Sequence, residues 1–174
     1  MSATLEIDDI VVPQETILGF DQEYEDIEAS DWRRTADGGG VLRVSWTGKV
    51  RTVISGNGWA ASLFAGLQQG VAHTLKCGTP RPVDSATATI TLPAARRSDS
   101  GYEPVGYALL ANDRLVETEI TGIVSNVATL TEVDDAVGYR VDYWPQLVVH
   151  ILRNTCKYAS RSNDWAFEIE AEEF

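Results

Sequence analysis

The chain has 174 residues, of which 44% are hydrophobic, and a formal net charge of −12 at pH 7. This length and composition suit one folded domain with its own core, which excludes wholesale disorder. The charge excludes direct binding of nucleic acid, because phosphate contacts need clustered Lys and Arg. No apolar run approaches the roughly 18 residues of a membrane span, and the N-terminus lacks the basic and apolar regions of a secretory signal. We therefore expect synthesis in the cytoplasm and no membrane insertion.

Acidic and basic side chains are separated along the chain. Residues 1–31 carry ten acidic side chains and no Lys or Arg, whereas residues 32–81 carry seven basic side chains and one acidic. Residues 1–31 also lack a clear hydrophobic period, so we predict an acidic N-terminal arm that orders only on a partner. Deleting such an arm would leave the melting temperature nearly unchanged. The charges indicate either a solvated acidic tail beside a basic sheet, or acidic ends of one subunit against the basic middle of the next.

The segment after the arm predicts a hairpin. Residues 37–40 are typical of a turn, and residues 41–47 alternate in polarity as a half-buried strand does. Residues 48–49 predict a tight turn into a second strand over residues 50–55.

The rest of the chain predicts one helix, short strands and loops. Residues 59–69 have the spacing of a short amphipathic helix, with Gly70 suited to the left-handed position after its end. Residues 93–104 predict an exposed loop. Strands are predicted at 71–78, 86–92, 105–110, 114–121, 124–131, 139–143, 147–152 and 165–171. The predicted fold class is mainly β, sandwich- or barrel-like, with a single domain over 32–174 that carries a small extra β stretch around 83–140.

The chain has no recognisable catalytic or cofactor-binding signature, so we predict a protein that is not an enzyme and holds no cofactor or metal. The spacing of His73, Cys77, His150 and Cys156 matches no common zinc module. The two cysteines are expected to be reduced, buried thiols, with one disulfide as the alternative.

The candidate binding residues come from the charge pattern and the tryptophans. Trp46 and Trp165 alternate with polar neighbours, so we assign both to the core. Trp32, beside two arginines, and Trp144, before a proline, are interface candidates because Trp often anchors contacts. The full candidate interface comprises Trp32, Arg33, Arg34, Trp144, Asp21, Glu23, Glu25 and Asp26.

Five segments beyond the acidic arm form a diffuse strand pattern. They are WRRTADG at 32–38, KVRTVISGNGW at 49–59, LKCGTPR at 75–81, GYRVDYWP at 138–145 and WAFEIEAEE at 165–173. Together they resemble small structural proteins from the tail modules of tailed bacteriophages, over most of residues 32–174.

The resemblance implies a virion structural protein of the tail tip or baseplate, with a β-sandwich flanked by a helix and assembly into rings. Its partners would be further copies of itself and other phage tail proteins. A ring needs two different surfaces that meet, which acidic ends and a basic middle would provide. The extra β stretch departs from the family pattern, which leaves open a ring-forming tube or distal-tail subunit and a peripheral baseplate or hub-attached protein. A tail-tube or head-decoration subunit is a further alternative. A carbohydrate- or receptor-binding β module with an exposed aromatic platform is another, and a metal-dependent enzyme without a recognisable motif is a third.

Overall fold

The computed structural model of the chain describes residues 3–59, 61–159 and 164–174. Across these residues the chain is mostly β and sandwich-like, so the predicted fold class is confirmed. The strands are β1 (Thr4–Ile7), β2 (Ile10–Pro13), β3 (Leu18–Arg34), β4 (Gly40–Asn57), β5 (Ala72–Lys76), β6 (Arg81–Ser85), β7 (Thr89–Thr91), β8 (Val105–Leu110), β9 (Leu115–Thr118), β10 (Ile120–Val124), β11 (Val127–Leu130), β12 (Ala136–Tyr143), β13 (Gln146–Ala159) and β14 (Asp164–Glu173). The helical elements are a 3-10 turn at Gln14–Thr16 and a single turn, α1 (Ala61–Phe64).

The strands form three antiparallel sheets. The largest has seven strands in the order β2-β1-β5-β13-β14-β4-β3, and the smaller sheets have the orders β10-β11-β7 and β6-β12-β8-β9. The chain divides into two compact units, the first comprising residues 3–6 and 75–147 and the second residues 7–74 and 148–174. This division differs from the predicted one, an arm over residues 1–31 and a domain over residues 32–174.

The core of the first unit is built from apolar side chains of the two smaller sheets. Its buried cluster comprises Ile90, Leu92, Ala108, Ala128, Leu130, Tyr139 and Val141. Directly opposed residues in an antiparallel pair share a face, and the register sets Ala128 against Ile90 and Tyr139 against Ala108. The stretch predicted as a small addition around 83–140 therefore carries a core of its own.

A buried arginine corrects the prediction of an exposed loop between β7 and β8. The side chain of Arg97 is only 1% exposed. Its guanidinium donates to the carboxylate of Asp99 and, at 2.8 Å, to the carbonyl of Thr4, and it lies 3.2 Å from the ring centre of Tyr102. The hydrogen bond from Arg97 lowers the pKa of Asp99. A buried guanidinium needs this set of partners because an unpaired buried charge is strongly destabilising.

The core of the second unit lies against the seven-stranded sheet. Ile54 and Ile169 are paired across β4 and β14 and are fully buried. The ring of Phe64 in α1 packs on Phe167 at a centroid distance of 5.0 Å. The side-chain amide of Asn154 donates to the carbonyl of Phe64 at 2.6 Å, which satisfies a backbone acceptor at the end of the helix.

The helix is shorter than the predicted span of residues 59–69. Phe64 is buried as its apolar face requires, but Trp59 and Leu63 are exposed. Gly66 lies in what would be the next turn, and glycine in a helix interior costs about 1 kcal/mol. Gly70 has a φ of 75°, which agrees with the left-handed conformation expected of it.

The predicted hairpin between residues 41–47 and 50–55 is wrong. Both segments belong to the continuous strand β4, and its partner is β3, which lies mostly in the predicted arm. Gly48 has a φ of 77° and lies next to register shifts in the β3–β4 ladder. It therefore accommodates a bulge within the strand and does not reverse the chain.

The predicted N-terminal arm is also wrong as a segment that orders only on a partner. Residues 4–13 form β1 and β2, and Leu5, Ile7 and Val12 are at most 2% exposed. Glu6 lies between the buried Leu5 and Ile7, and Asp21 and Glu23 flank the buried Gln22, as expected of strands with one covered side. The deletion expected to be neutral should therefore be strongly destabilising.

Two adjacent valines test this integration. Val12 is fully buried, whereas Val11 is 53% exposed. We expect Val12→Ala to lower the free energy of unfolding by about 2 kcal/mol because it leaves a cavity in the core, and Val11→Ala to change it by less than about 0.5 kcal/mol. Urea denaturation measures both variants. Equal, small losses would show that β2 is not part of the core.

Candidate assembly surface

The β3–β4 hairpin extends beyond the sheet that supports it. β14 pairs with β4 only from Arg51 to Asn57, whereas β3 follows β4 to Gly40. Residues 28–48 thus form a two-stranded ribbon, roughly 30 Å long at about 3.3 Å per residue, which we call the ribbon. A two-stranded hairpin is marginally stable by itself, so its attachment to the sheet holds the ribbon in place.

The end of the ribbon is a tight turn, as the sequence predicts for residues 37–40. The amide of Thr35 donates to the carbonyl of Gly39 at 2.8 Å, and the Thr35 hydroxyl donates to Asp37. That hydroxyl, followed by nearby backbone amides, lowers the pKa of Asp37. Gly38 has a φ of 85°, a conformation that glycine adopts without steric cost.

The two sides of the ribbon differ in chemistry. Between Ser30–Arg34 and Gly40–Val44 the register has no shift, so side chains alternate strictly. One side, which we call the apolar side, carries Trp32, Leu42 and Val44, together with Ser30 and Arg34. The opposite side carries Asp31, Arg33, Val41 and Arg43. A Cβ on Gly40 would lie 2.1 Å from the Trp32 indole, so the ring lies across the Gly40 backbone.

The apolar side is open to solvent. Trp32 is 63% exposed, Leu42 54% and Val44 44%. Alternation along β3 places Trp32 on the same side as Gln22, which the core covers at the base of the hairpin. The hydrophobic side of the hairpin therefore extends past the core. Exposed apolar surface of this kind is typical of sites that contact another molecule.

The base of the hairpin carries an acidic face on the side away from the core. Paired registers across β3, β4, β14 and β13 bring its six carboxylates together: Asp21, Glu23, Glu25, Glu168, Glu170 and Glu172. Lys49 and Lys157 lie at the margins of this face, and two arginines lie among the carboxylates. Arg51 forms an ion pair with Glu170, and Arg153 lies 3.0 Å from Glu168. Six carboxylates against two guanidinium groups and two lysines leave this face negative.

The charges are separated along the hairpin. Arg33 pairs with Asp31 at 2.5 Å, while Arg34 and Arg43 make no ion pair with any described residue. Ten residues of continuous strand, roughly 33 Å, separate Arg33 from Glu23. The basic end cannot fold back on the acidic face of its own chain, so any complementarity between them acts between molecules.

The structure brings most of the predicted interface residues onto this one hairpin. Trp32, Arg33 and Arg34 lie at its end, and Asp21, Glu23, Glu25 and Asp26 lie on β3 nearer its base. Trp144 belongs to the first unit, where it is half-buried. Its indole donates to the carbonyl of Gly78 at 3.2 Å and packs edge-on against Tyr102.

The assignment of Trp46 and Trp165 to the core is wrong. They are 42% and 38% exposed. Leu42 and Val44 were missed as candidate interface residues for the same reason, since strand alternation indicates which residues share a side but not whether a core covers it. The signal that could have found them is the placement of acidic residues at every second position from Asp21 to Glu25, which is typical of a strand and indicates a partner for β4.

The cysteines and histidines were considered as metal ligands in the sequence, and the structure shows their surroundings. Cys77 is buried, and Cys156 is half-buried with a pKa raised by burial; neither forms a disulfide. The ring of His150 contacts Phe174 at 4.3 Å. Among the described residues, no group of three or more His, Cys, Asp or Glu side chains is placed to hold a metal ion.

A cleft of about 340 Å³ lies in the first unit, lined in part by Asp84 and Arg140. Arg140 donates twice to Asp84, at 2.7 and 3.2 Å. This pairing engages the guanidinium, so the cleft offers no unpaired cation for an anionic ligand.

Comparison with known proteins yields no relative. No protein-family model, no curated protein and no solved structure matches this chain significantly. Within the part of the chain that the structure describes, no helix is long and apolar enough to span a membrane.

A charged pair joins two edges of the second unit. His73 is buried, with Nδ1 2.6 Å from Asp8 Oδ2 and Nε2 2.8 Å from the Gln68 carbonyl. Both partners are acceptors, so the ring satisfies both only as an imidazolium. Burial by itself would lower the pKa of His73, but the bonds to Asp8 and Gln68 outweigh it and raise the pKa. Burial by itself would raise the pKa of Asp8, but its hydrogen bonds with His73 and with the Thr74 amide outweigh burial and lower the pKa.

The pair gives a stability that depends on pH. His73, with its raised pKa, stabilises the fold below its ordinary value near 6.5 and loses this effect as pH rises through the folded pKa. Asp8, with its lowered pKa, contributes above about 4 and loses this as pH falls further. The contribution is therefore greatest between about pH 4 and 6.5.

Asp8→Asn tests the pair. Asparagine tolerates the positive φ of 53° at this position and can still accept from the Thr74 amide, so the variant removes mainly the charge. We expect a loss of about 1 kcal/mol at pH 5, limited because Asp8 is partly exposed, and almost none at pH 9. Thermal melts across pH measure it, with Asp9→Asn as the control. A loss independent of pH would contradict the charged pair.

Proposed function

We propose that this chain is a virion structural protein of a bacteriophage tail tip or baseplate, which acts by assembling with copies of itself and with other tail proteins. The observation that supports it best is the ribbon, whose apolar side extends past the core into solvent. A monomer gains nothing from exposing Trp32 and Leu42 on a marginal two-stranded element. Burial of each such side chain would contribute about 1.5–3 kcal/mol to an assembly.

The charge arrangement supports the same proposal. An acidic face at the base of the hairpin and arginines at its end give each molecule two complementary surfaces that cannot meet within one chain. Such complementarity directs association and sets its register. It also accounts for a net charge of −12 that is unevenly distributed along the sequence.

The carbohydrate-binding alternative depends on an aromatic platform, and the most exposed aromatic pair fits it poorly. Tyr158 and Trp165 have ring centroids 5.2 Å apart but planes inclined by 54°. A sugar ring stacks on a flat aromatic surface, which two rings at this inclination do not provide. This aromatic pair therefore gives little support to glycan binding, whereas the exposed apolar side of the ribbon supports assembly.

A phage that encodes this chain provides the direct test. We expect the chain in purified particles, in the tail fraction, and the double variant Leu42→Ser/Val44→Ser incorporated at least about tenfold less, because it removes the apolar contact. Quantitative mass spectrometry of particles measures both. Val41→Ser, on the opposite side of the ribbon, is the matched control and should be incorporated normally.

The melting temperatures of the isolated variants separate assembly from folding. Since residues 41–44 are exposed, the wild type, the double variant and the Val41→Ser control should melt within a few degrees of one another. Absence of the chain from purified particles would overturn the proposed function. Equal incorporation of both variants would overturn the role of the apolar side.

A further inference from the structure

β3 is the edge strand of the seven-stranded sheet, with β4 on one side and no strand on the other among the residues described. It has 17 residues and contains no proline. Proteins usually protect long edges with proline, charged side chains, bulges or a cover, because an open edge pairs readily with another strand. The register shifts between residues 27 and 30 place the extra residues on β4, so β3 itself stays regular along the ribbon. From Ile27 to Arg34, β3 also lies in the ribbon, where pairing would add strands to a marginal element.

The side-chain charge of β3 changes sign along the edge. β3 carries Asp21, Glu23, Glu25, Asp26 and Glu28 in its first two-thirds and ends in Arg33 and Arg34. Two such strands side by side in parallel would set acid against acid. In antiparallel orientation the basic end of each meets the acidic stretch of the other. The charges therefore specify both the occupant, a second copy, and its direction.

We propose that two copies of this chain pair through β3, edge to edge and antiparallel, about a twofold axis near Ala29. This goes beyond the proposed function and rests only on its self-association component. The joined element is a four-stranded ribbon with the strand order β4-β3-β3-β4. Four strands with a hydrophobic side meet the requirement for a stable sheet that two strands do not.

The backbone geometry of β3 fits this pairing. The carbonyl of Glu23 accepts a hydrogen bond from Thr52 Oγ1 of β4 at 2.7 Å, so the backbone groups of Glu23 face β4. In an antiparallel strand successive residues direct these groups to opposite edges. Odd-numbered residues of β3 therefore bond to β4, and even-numbered residues present N–H and C=O groups to the open edge.

The charges select a register. When Arg33 lies opposite Glu25, Ala29 lies on the axis, Ser30 faces Glu28 and no carboxylate faces another. A slip of two residues that sets Arg33 opposite Glu23 would put Glu25 against Asp31 and Glu28 against itself. Like charges directly opposed are destabilising. The favoured register also keeps Trp32 of both copies on one side, because even residues oppose even residues.

A single cysteine on the axis tests the arrangement. In this register Ala29 faces its own copy as a non-hydrogen-bonded pair, with a Cα distance of about 4.5 Å that suits a disulfide. We expect Ala29→Cys to form a covalent dimer under mild oxidation, detected on a non-reducing gel. Thr47→Cys, on β4 of the same ribbon, is the control and should remain monomeric on the gel, as should the wild type with its two native thiols.

A charge exchange tests the register independently. Arg33→Glu should weaken the dimer about tenfold, since two like-charge contacts replace two favourable ones, and Glu25→Arg should do the same. The double variant Glu25→Arg/Arg33→Glu should restore the affinity to within about threefold. Light scattering over a concentration and salt series measures the mass, and the wild-type dimer should dissociate as salt rises.

The outcomes separate this inference from the proposed function. A wild-type chain that stays monomeric at every concentration and salt, or oligomers in which Ala29→Cys does not cross-link, would overturn the antiparallel pairing while leaving assembly on other tail proteins intact. Cross-linking of Thr47→Cys equal to that of Ala29→Cys would also overturn it. Cross-linking confined to Ala29→Cys, with rescue by the double variant, would establish it.

Discussion

The backbone pairing of β3 with β4 is the contact on which the second unit depends. At one end of this hairpin β4 also pairs with β14 and places Ile54 in the core. At the other end the same two strands continue without a third strand or a core. Burial at the base therefore stabilises a ribbon whose apolar side remains exposed, and the exposed surface is a consequence of how the hairpin is anchored.

Polar contacts within each unit fix the N-terminal strands. In the first unit the buried guanidinium of Arg97 reaches the carbonyl of Thr4. In the second, Asp8 bonds to His73 and to the amide of Thr74. These contacts explain how an acidic segment becomes part of a fold. Its apolar residues enter the core, while its carboxylates stay exposed or find specific donors.

The local elements of the chain were predictable where short-range geometry controls them. The turn at residues 37–40 and the left-handed conformation of Gly70 were correctly predicted, and β8 lies at the predicted residues. Gly48 was predicted incorrectly because a glycine before a lysine suits both a turn and a bulge. Only the presence of β3 as a partner selects the bulge.

Most residues of the candidate surface could be predicted from the sequence, but not that they lie together on one long hairpin. The sequence already associated Trp32, Arg33 and Arg34 with an acidic stretch, and the structure places that stretch on the same hairpin. The prediction of an arm that orders only on a partner failed because charge density was taken as disorder. Leu5 and Ile7 alternate with polar residues, which supports a strand that a core can cover.

By itself, the sequence determined the β-rich class, the charge separation and the residues that share a side of each strand, since these depend on composition and on a two-residue period. The tertiary structure alone decided which of those sides a core covers. Trp46 and Phe167 both lie in alternating strands, yet Phe167 packs against Phe64 and Trp46 remains exposed. Burial depends on which strands become neighbours and where each sheet ends, and both are set by contacts between residues far apart in the chain.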